Sequence, residues 1–543
     1  MLVWIALVLG ACNPSHKTDT SPSSPVTETD TPPTGDTEET GDTEDTDTED
    51  TSETDTDDPA ADWPGWEVVD TDTTSFAEWD YEVRTYEIGA EWPNAYDTML
   101  GTPRRFYLLA PVDASGAIPV IASFHGGAVD DDSDPAYYTT GDPYETKCGV
   151  AADVSAAFVT PEHTLMPYLA ATRGWAMVFP ENLWCDFWSG RGDADPVDPL
   201  HRSYEHVAEI LDFLEDGGPG FSASELYGWG SSSGGAGAMI AAAWYDGFGG
   251  VIADSAPCDM VTYFPDDPRA MEHIFGGPPL EADGKTPTGA YPNYLAASCT
   301  EFVANGFTVP VYVPWNNRDI LTNPNNPSAL VGALQAHYTP SGVRWGSHDF
   351  DHNAPGTTFH AQSRQTPPPF PYVTELMFRF LEGADLVWNE AEHGCQSGCT
   401  VGATLTNEPA PPWSTYSLGG GRIAEPPGGV GVMWQAGLPG SLPGGVAMDA
   451  VALIVAEAGA LSDSDVVARI VYSESGIDQA SVDLTGATFA VSHNPPSDAA
   501  EMVTMVQGNK LSFTPTDPGA GQLRIETTGI ATLRLDAIVF AVP

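Results

Sequence analysis

Basic residues are the scarcest charged class in this chain. Its 543 residues include 19 Lys and Arg against 77 Asp and Glu, which gives a formal net charge of −58 at pH 7. Binding to nucleic acid or to an anionic lipid surface depends on Lys and Arg that neutralise phosphates. The composition therefore predicts no nucleic-acid partner, and we interpret the general acidity as a solubility feature.

Long hydrophobic runs are also missing. The N-terminal apolar run covers residues 1–12, and about a dozen residues are too few to cross a bilayer as a helix. The run ends in Leu-Gly-Ala-Cys at Cys12 and resembles the signal of bacterial lipoproteins, although the basic residues that usually open such a signal are absent. The resemblance implies a signal peptide over 1–12, a lipid anchor on Cys12 and a location in the cell envelope or outside the cell. Asn13, which is not aspartate, implies the outer membrane.

Cysteine is infrequent, and its pattern argues against a structural zinc site. No Cys-x2-Cys pair occurs with histidines at zinc-finger spacing. An even number of cysteines outside the cytosol predicts up to three disulfides, and the local pair Cys395–Cys399 is the simplest choice. Cys185, Cys258 and Cys299 lie in segments on either side of residues 226–243, where disulfides would stabilise loops. Apart from Cys12, the chain contains Cys148, Cys185, Cys258, Cys299, Cys395 and Cys399.

Large apolar residues are nearly absent from residues 13–62. This segment consists mainly of Thr, Asp, Glu, Ser and Pro, and residues 13–58 alone hold 16 acidic residues and one lysine. Such a composition cannot bury enough surface to offset the entropy lost on ordering. We therefore predict a disordered acidic tether over 13–62, with the folded part starting near Trp63.

The folded part begins with alternating strand and helix patterns. Near-continuous apolar runs predict buried parallel strands, and apolar residues at helical spacing predict helices. Alternation of this kind is typical of a parallel sheet with helices on both faces. The predicted strands cover 81–88, 104–109, 118–124, 175–180, 226–229, 250–255 and 309–314, and the predicted helices cover 200–215 and 371–382.

One stretch carries a nucleophile motif. Residues 226–243 read LYGWGSSSGGAGAMIAAA, a short apolar run that meets a Gly/Ser corner and continues into an Ala-rich segment suited to a helix. The G-x-S-x-G pattern centred on Ser232 places a serine on a sharp strand-to-helix turn, where the glycines prevent collisions. Ser232 is the candidate nucleophile, and the backbone N–H of Ser233 is a candidate oxyanion donor. A Gly-rich loop without catalytic function is the alternative for this motif alone.

A second Gly-rich corner follows the predicted strand at 118–124. The chain continues into His125, Gly126 and Gly127, and glycines at such a corner expose backbone N–H groups to a substrate. Alone this sequence is only a turn. Together with the serine motif a hundred residues later, it makes Gly126 and Gly127 candidate oxyanion residues.

The candidate acid follows the predicted strand at 309–314. Asp319 lies just past the carboxyl end of that strand, and sites collect at this edge of a parallel sheet. An acid there can orient a catalytic histidine and stabilise its imidazolium. Asp254, at the end of an earlier predicted strand, is the alternative.

The candidate base should follow the acid in the order Ser, Asp, His. Three histidines lie between 343 and 360, and a strand is predicted around His348. We select His352 because it lies at the end of that strand, where an imidazole can reach the serine. His348 and His360 are the alternatives. The cluster with Asp349 and Asp351 could instead bind a metal, but no independent ligand motif supports a metal site.

Taken together, these motifs resemble the α/β-hydrolase superfamily. Within it the layout resembles secreted esterases of the polyhydroxybutyrate-depolymerase and feruloyl-esterase kind, which share G-x-S-x-G-G, an upstream Trp-rich loop and short lid sequence. The resemblance covers about 75–385. It implies an α/β-hydrolase fold over 63–390 and an acyl-serine mechanism that needs no cofactor. The implied substrates are carboxylic esters, including polymeric or polysaccharide-borne esters. The alternatives are a serine peptidase of the prolyl-oligopeptidase type, although no propeller-like repeats precede the catalytic region, and a non-catalytic surface-binding protein.

The composition and the length of the apolar runs change from residue 395 to the end of the chain. Short Val, Ile, Leu and Ala runs separated by Gly, Pro, Asp and Ser predict strands spaced for a β-sandwich of the jelly-roll type. The ending TLRLDAIVF resembles the last strand of carbohydrate-binding and galactose-binding-like modules, which implies contact with glycans. A structural stalk or a docking domain is the alternative. Trp413, Tyr416 and Trp434 could form a binding platform, but we favour core packing for them.

Overall fold

The protein's structure is a computed structural model. It describes residues 65–76, 79–88, 105–126, 165–180, 188, 203–266, 268–317, 319, 322–349, 371–390, 404–407, 422–425, 430–457, 462, 464–486, 501–503, 510–530 and 532–543. The chain divides into two units, Met1–Ala60 and Ala61–Pro543, and all the described residues belong to the second. The predicted signal peptide, the anchor at Cys12 and the predicted tether therefore lie outside the described residues.

A large mixed sheet forms the first part of the fold. Its strands in the described residues are β1 (Trp66–Phe76), β2 (Trp79–Ile88), β3 (Arg105–Pro111), β4 (Gly116–Phe124), β5 (Ala176–Pro180), β6 (Phe221–Ser231), β7 (Phe248–Asp254), β8 (Val311–Trp315) and β9 (Trp345–Asp349). They lie in the order β1-β2-β3-β5-β4-β6-β7-β8-β9. Each neighbouring pair from β5 to β9 in this order is parallel, whereas the pairs at the β1 side are antiparallel.

Helices cover both faces of this sheet. Those in the described residues are α1 (Leu165–Ala171), α2 (Ser203–Glu215), α3 (Ser233–Trp244), α4 (Met260–Tyr263), α5 (Pro268–Phe275), α6 (Tyr291–Ala296), α7 (Cys299–Ala304), α8 (Asn325–Ser341) and α9 (Pro371–Leu381). Apolar residues of α2, α3 and α8 share one buried cluster, and those of α1 and α9 share another. Burial on both faces explains the continuous apolar runs of the central strands. The predicted parallel central strands and the helices on both faces are present, but the sheet is mixed, because β1, β2 and β3 pair antiparallel.

The C-terminal part is β-rich. Its described strands are β10 (Asp385–Glu390), β11 (Thr404–Asn407), β12 (Arg422–Glu425), β13 (Gly431–Gly437), β14 (Met448–Glu457), β15 (Val466–Glu474), β16 (Ile477–Thr485), β17 (Glu501–Val503), β18 (Leu511–Phe513), β19 (Gln522–Thr527) and β20 (Thr532–Val542). One antiparallel sheet is centred on β14 and β20, and a smaller one has the order β13-β19-β15-β16. Residues of both sheets share one buried cluster, which includes Trp434. The jelly-roll sandwich stays a prediction, and Trp413 and Tyr416 lie outside the described residues.

The β-rich part is joined directly to the α/β part. Strand β10 follows α9 along the chain and pairs antiparallel with β20. The buried cluster around α9 also contains Val451 of β14 and Val539 of β20. The two parts therefore share hydrophobic packing. No helix in the described segments is both long enough and apolar enough to span a membrane.

Candidate active site

Ser232 occupies a strained turn between β6 and α3. Strand β6 ends at Ser231 and helix α3 begins at Ser233, so Ser232 is the turn residue, with φ 58° and ψ −132°. Its backbone N–H donates to the carbonyl of Asp254 at 2.8 Å, which anchors the turn to the end of β7. A non-glycine residue at positive φ stores strain and is typical of functional turns. The predicted strand, turn and helix around the G-x-S-x-G motif are therefore present.

The glycines at this turn are required by close backbone packing. A Cβ atom added to Gly126 would lie 2.6 Å from the carbonyl oxygen of Ser231 and 3.1 Å from the Cβ of Ser232. A Cβ atom on Gly235 would lie 2.8 Å from that of Ala256. The corner after β4 therefore packs directly against the turn at Ser232. Gly126 is half-buried beside Ser232, and Gly127 lies outside the described residues.

Trp188 contacts the corner after β4 through His125. Its indole Nε1 donates to the carbonyl oxygen of His125 at 3.2 Å, and its ring lies 5.1 Å from that of His125. The side chain is 1% exposed. A Cβ atom on Gly237 would lie 2.5 Å from the Trp188 ring, so this glycine of α3 leaves room for the indole. Trp188 is therefore a packing residue.

Asp254 lies beneath the turn, fully buried at the end of β7. Its carboxylate accepts hydrogen bonds from the hydroxyls of Ser231 at 3.3 Å and Ser255 at 3.1 Å. Ser255 also has a positive φ, 51°. A buried carboxylate needs such donors to offset its desolvation. Asp254 thus holds together the backbone that supports the turn at Ser232, a function that the sequence motif did not indicate.

Asp319 follows β8 at the same edge of the sheet. It is 6% exposed, and its carboxylate Oδ1 accepts the backbone N–H of Thr322 at 2.9 Å. Strand β7 lies between β6 and β8, so the ends of β6 and β8 are about 10 Å apart, two strand spacings.

Two further contacts involve Asp349 and His348, the last two residues of β9. Asn317 donates its backbone N–H and its side-chain amide to the carboxylate of Asp349, at 2.9 Å each. The ring of His348 stacks on Trp388 of β10, with ring centroids 3.8 Å apart and planes 14° apart. His348, a residue of β9, therefore packs against β10. His352, His360 and Asp351 lie outside the described residues.

The described residues offer no metal site. No group of three or more His, Cys, Asp or Glu side chains is placed to hold an ion among them. The Asp349 carboxylate is instead hydrogen-bonded by Asn317. The described polar groups at this edge of the sheet include the serine turn, the corner at Gly126 and two buried carboxylates. A strand–serine–helix turn at the carboxyl edge of a mostly parallel sheet, beside a backbone corner from a neighbouring strand, is the arrangement of α/β-hydrolases.

Comparisons with known proteins yield structural similarity alone. No family model and no curated protein matches the chain. Among solved structures, an S-formylglutathione hydrolase from Agrobacterium tumefaciens is 16% identical with a TM-score of 0.39, and the match covers 58% of this chain and 99% of that one. A thermostable esterase from Pseudomonas putida is 15% identical with a TM-score of 0.33, over 59% of this chain and 84% of that one.

A peptidase is among the similar structures as well. The acylaminoacyl peptidase of Pyrococcus horikoshii is 12% identical with a TM-score of 0.34, and the match covers 58% of this chain and 41% of the peptidase. Identities and TM-scores at this level do not assign a function. We therefore base the function on the residues of this chain.

Proposed function

We propose that the protein is a serine hydrolase that cleaves carboxylic esters through an acyl-serine intermediate. The observation that carries the proposal is the backbone of Ser232. Of three consecutive serines, this one alone has a positive φ and stands at the strand-to-helix turn. Such a turn exposes the serine Oγ at the edge of the sheet, where a substrate carbonyl can approach it.

In the proposed reaction, the Ser232 Oγ attacks the ester carbonyl and gives its proton to His352. The protonated histidine then gives this proton to the departing alcohol, which leaves an acyl group on Ser232. A water molecule activated by the same histidine attacks the acyl group, releases the carboxylic acid and restores the serine. Asp319, buried at the end of β8, would hold the imidazole and stabilise its charged form.

The oxyanion would be held by backbone N–H groups from two sides. Ser233 is the first residue of α3, and a helix presents its first N–H groups at its N-terminus. Gly126 and Gly127 would contribute from the corner after β4, and the close approach of Gly126 to Ser232 supports this assignment. Donors fixed in this way before the reaction stabilise the developing charge without reorganisation.

Location and substrate range are further parts of the proposal. The Leu-Gly-Ala-Cys sequence at Cys12 supports a lipid-anchored protein in the cell envelope, with 13–62 as the tether. An anchored hydrolase would act on esters outside the cell, including polymeric ones, and the β-rich part would contact glycans. The acidic composition supports substrates other than nucleic acids.

The test is hydrolysis of p-nitrophenyl acetate and butyrate by the full chain. Ser232→Ala should abolish turnover, while Ser231→Ala and Ser233→Ala are matched controls on either side that keep the nucleophile. His352→Ala should also abolish turnover, whereas His360→Ala should not. Turnover that survives Ser232→Ala would contradict the proposal. Cleavage of peptide amides in preference to these esters would favour the peptidase alternative, and inactivity of the wild type on all of them would favour the binding protein.

A further inference from the structure

A compact helical segment follows β7 along the chain and ends where α7 begins. This segment, residues 258–299, contains α4, α5 and α6. Packed aromatic rings stabilise its interior, among them Phe275 and Tyr294, whose centroids are 4.4 Å apart. The segment starts at Cys258 and ends at Cys299, and both of these residues are fully buried.

The two ends of the segment lie side by side, and we call them the neck. The backbone N–H of Thr300 donates to the carbonyl of Cys258 at 3.2 Å. The N–H of Met260 donates to the hydroxyl of Ser298 at 3.0 Å. These contacts flank the two cysteines, whose thiols hydrogen-bond each other and are not joined in this structure. Because hydrogen bonds lie on both sides of the pair, the backbones of the two cysteines are close enough for a disulfide to join them.

We propose that Cys258 and Cys299 form a disulfide that closes the neck of the helical segment. The two thiols lose two hydrogens and two electrons as their S–S bond forms. The disulfide of a thiol–disulfide oxidoreductase in an oxidising compartment accepts them and becomes a dithiol. This bond is independent of the chemistry at Ser232.

Burial determines when this bond can form. Desolvation raises the pKa of the Cys258 thiol, and the hydrogen bond with Cys299 raises it further. Because thiol exchange proceeds through the thiolate, the folded neck resists both oxidation and reduction. We therefore expect the bond to form during folding, before the neck is buried, and to stay inaccessible to mild reductants afterwards.

The neck also contacts the segment that leads from Asp319. The backbone N–H of Asp259 donates to the side chain of Asn326 at 2.7 Å. Asn326 lies at the start of α8, shortly after Asp319 and Thr322. Closing the neck would therefore brace the loop that carries the proposed acid, and this consequence rests on the proposed function.

Peptide mapping tests the bond directly on the wild-type chain. The full chain is produced with export to a bacterial periplasm, unfolded in guanidinium with iodoacetamide and digested without reduction. Trypsin cleaves after Arg269 and Lys285 and so separates the two cysteines, because peptides 203–269 and 286–318 contain one cysteine each. We expect a linked pair of these peptides, two hydrogens lighter than their sum. Alkylation of both cysteines, or a link from either to a different cysteine, would overturn the proposal.

A stability measurement tests its consequence. Prolonged dithiothreitol treatment at elevated temperature should lower the Tm of the exported wild type by about 5 °C more than that of the Cys258→Ala/Cys299→Ala double variant. Alanine is small and apolar and therefore suits these buried positions. The matched control is the Cys148→Ala/Cys185→Ala double variant, in which reduction of the Cys258–Cys299 bond should lower the Tm as much as in the wild type. An equal reductant effect in the wild type and the Cys258→Ala/Cys299→Ala variant would contradict a structural disulfide here. The peptide masses are read without any ester substrate, so failure of the hydrolase proposal would leave this result interpretable.

Discussion

Asn317 and Asp349 join the two segments that carry the proposed acid and base. The backbone N–H and the side-chain amide of Asn317 donate to the two carboxylate oxygens of Asp349, each at 2.9 Å. Asp319 comes two residues after Asn317, and His352 comes three residues after Asp349. The pair therefore fixes the ends of β8 and β9 relative to each other. We infer that it positions the acid and the histidine without touching the substrate.

Asn317→Ala should reduce kcat on p-nitrophenyl esters by roughly tenfold to a hundredfold, because small displacements of catalytic groups have effects of that size. Asn317 is exposed, so the Tm should change little. Asn325→Ala, at an exposed position at the start of α8, is the matched control and should keep wild-type kcat. An unchanged kcat in Asn317→Ala would show that the pair has no positioning function.

Gly126→Ala should impair catalysis more than folding. The added Cβ would meet the carbonyl of Ser231 at 2.6 Å, and relief of that contact would move the corner after β4 away from Ser232. Loss of an oxyanion donor costs about a hundredfold or more in kcat. Gly332→Ala is the control, because this exposed glycine of α8 has open space around it and alanine should stabilise the helix by about 1 kcal/mol. Wild-type kcat in Gly126→Ala would argue against an oxyanion function for this corner.

His348 should prove dispensable for turnover. Its ring stacks on Trp388, whose Nε1 donates to the Tyr312 hydroxyl at 3.1 Å. His348→Ala should therefore lower the free energy of unfolding by about 1 kcal/mol through lost stacking and leave kcat within about threefold of wild type. His352→Ala should lower kcat at least a thousandfold. The reverse pattern, with His348 essential and His352 dispensable, would reassign the base.

Asp449 of β14 should make stability depend on pH. Burial by itself would raise its pKa, but hydrogen bonds from Lys510 at 2.7 Å and Ser512 at 2.6 Å outweigh burial and hold the pKa below its usual value. A lowered folded-state pKa stabilises the fold above the unfolded-state value of about 4, and the contribution is lost as the pH falls through the folded-state pKa.

Asp449→Asn should therefore destabilise the protein at pH 7, by at most about 1 kcal/mol because Lys510 is substantially exposed. The difference between variant and wild type in chemical denaturation should shrink as the pH is lowered below about 4. Asp72→Asn, an exposed substitution in β1, is the control for general charge effects. A difference that grows on acidification would contradict this assignment.

The sequence was most informative where local pattern alone decides structure. Continuous apolar runs predicted the central strands because both faces of the sheet are covered, and the G-x-S-x-G motif predicted the turn at Ser232 because only glycine tolerates its close contacts. Strand β1 was not predicted, since its charged, Thr-rich sequence resembles the acidic segment before it. Helix α8 was not predicted either, because it includes Pro327 and Pro340 and few of its residues are buried.

Polar contacts between distant segments were beyond local pattern. The Asn317–Asp349 pair depends on the register of β8 and β9, which sets Trp315 opposite Asp349. The hydroxyl of Ser231 reaches the carboxylate of Asp254 only after β6 and β7 pair. The stacking of His348 on Trp388 requires the β-rich part to pack beside β9. No sequence periodicity encodes such contacts.

The central claim is that Ser232 is an activated nucleophile, and fluorophosphonate labelling of the full chain tests it most directly. Ser231, Ser232 and Ser233 lie in a single tryptic peptide, so fragmentation spectra must assign the adduct to one of them. We predict an adduct on Ser232, retained in Ser231→Ala and Ser233→Ala, and lost in Ser232→Ala and after heat denaturation. No adduct on the folded wild type, or an adduct on Ser231 or Ser233, would contradict the claim.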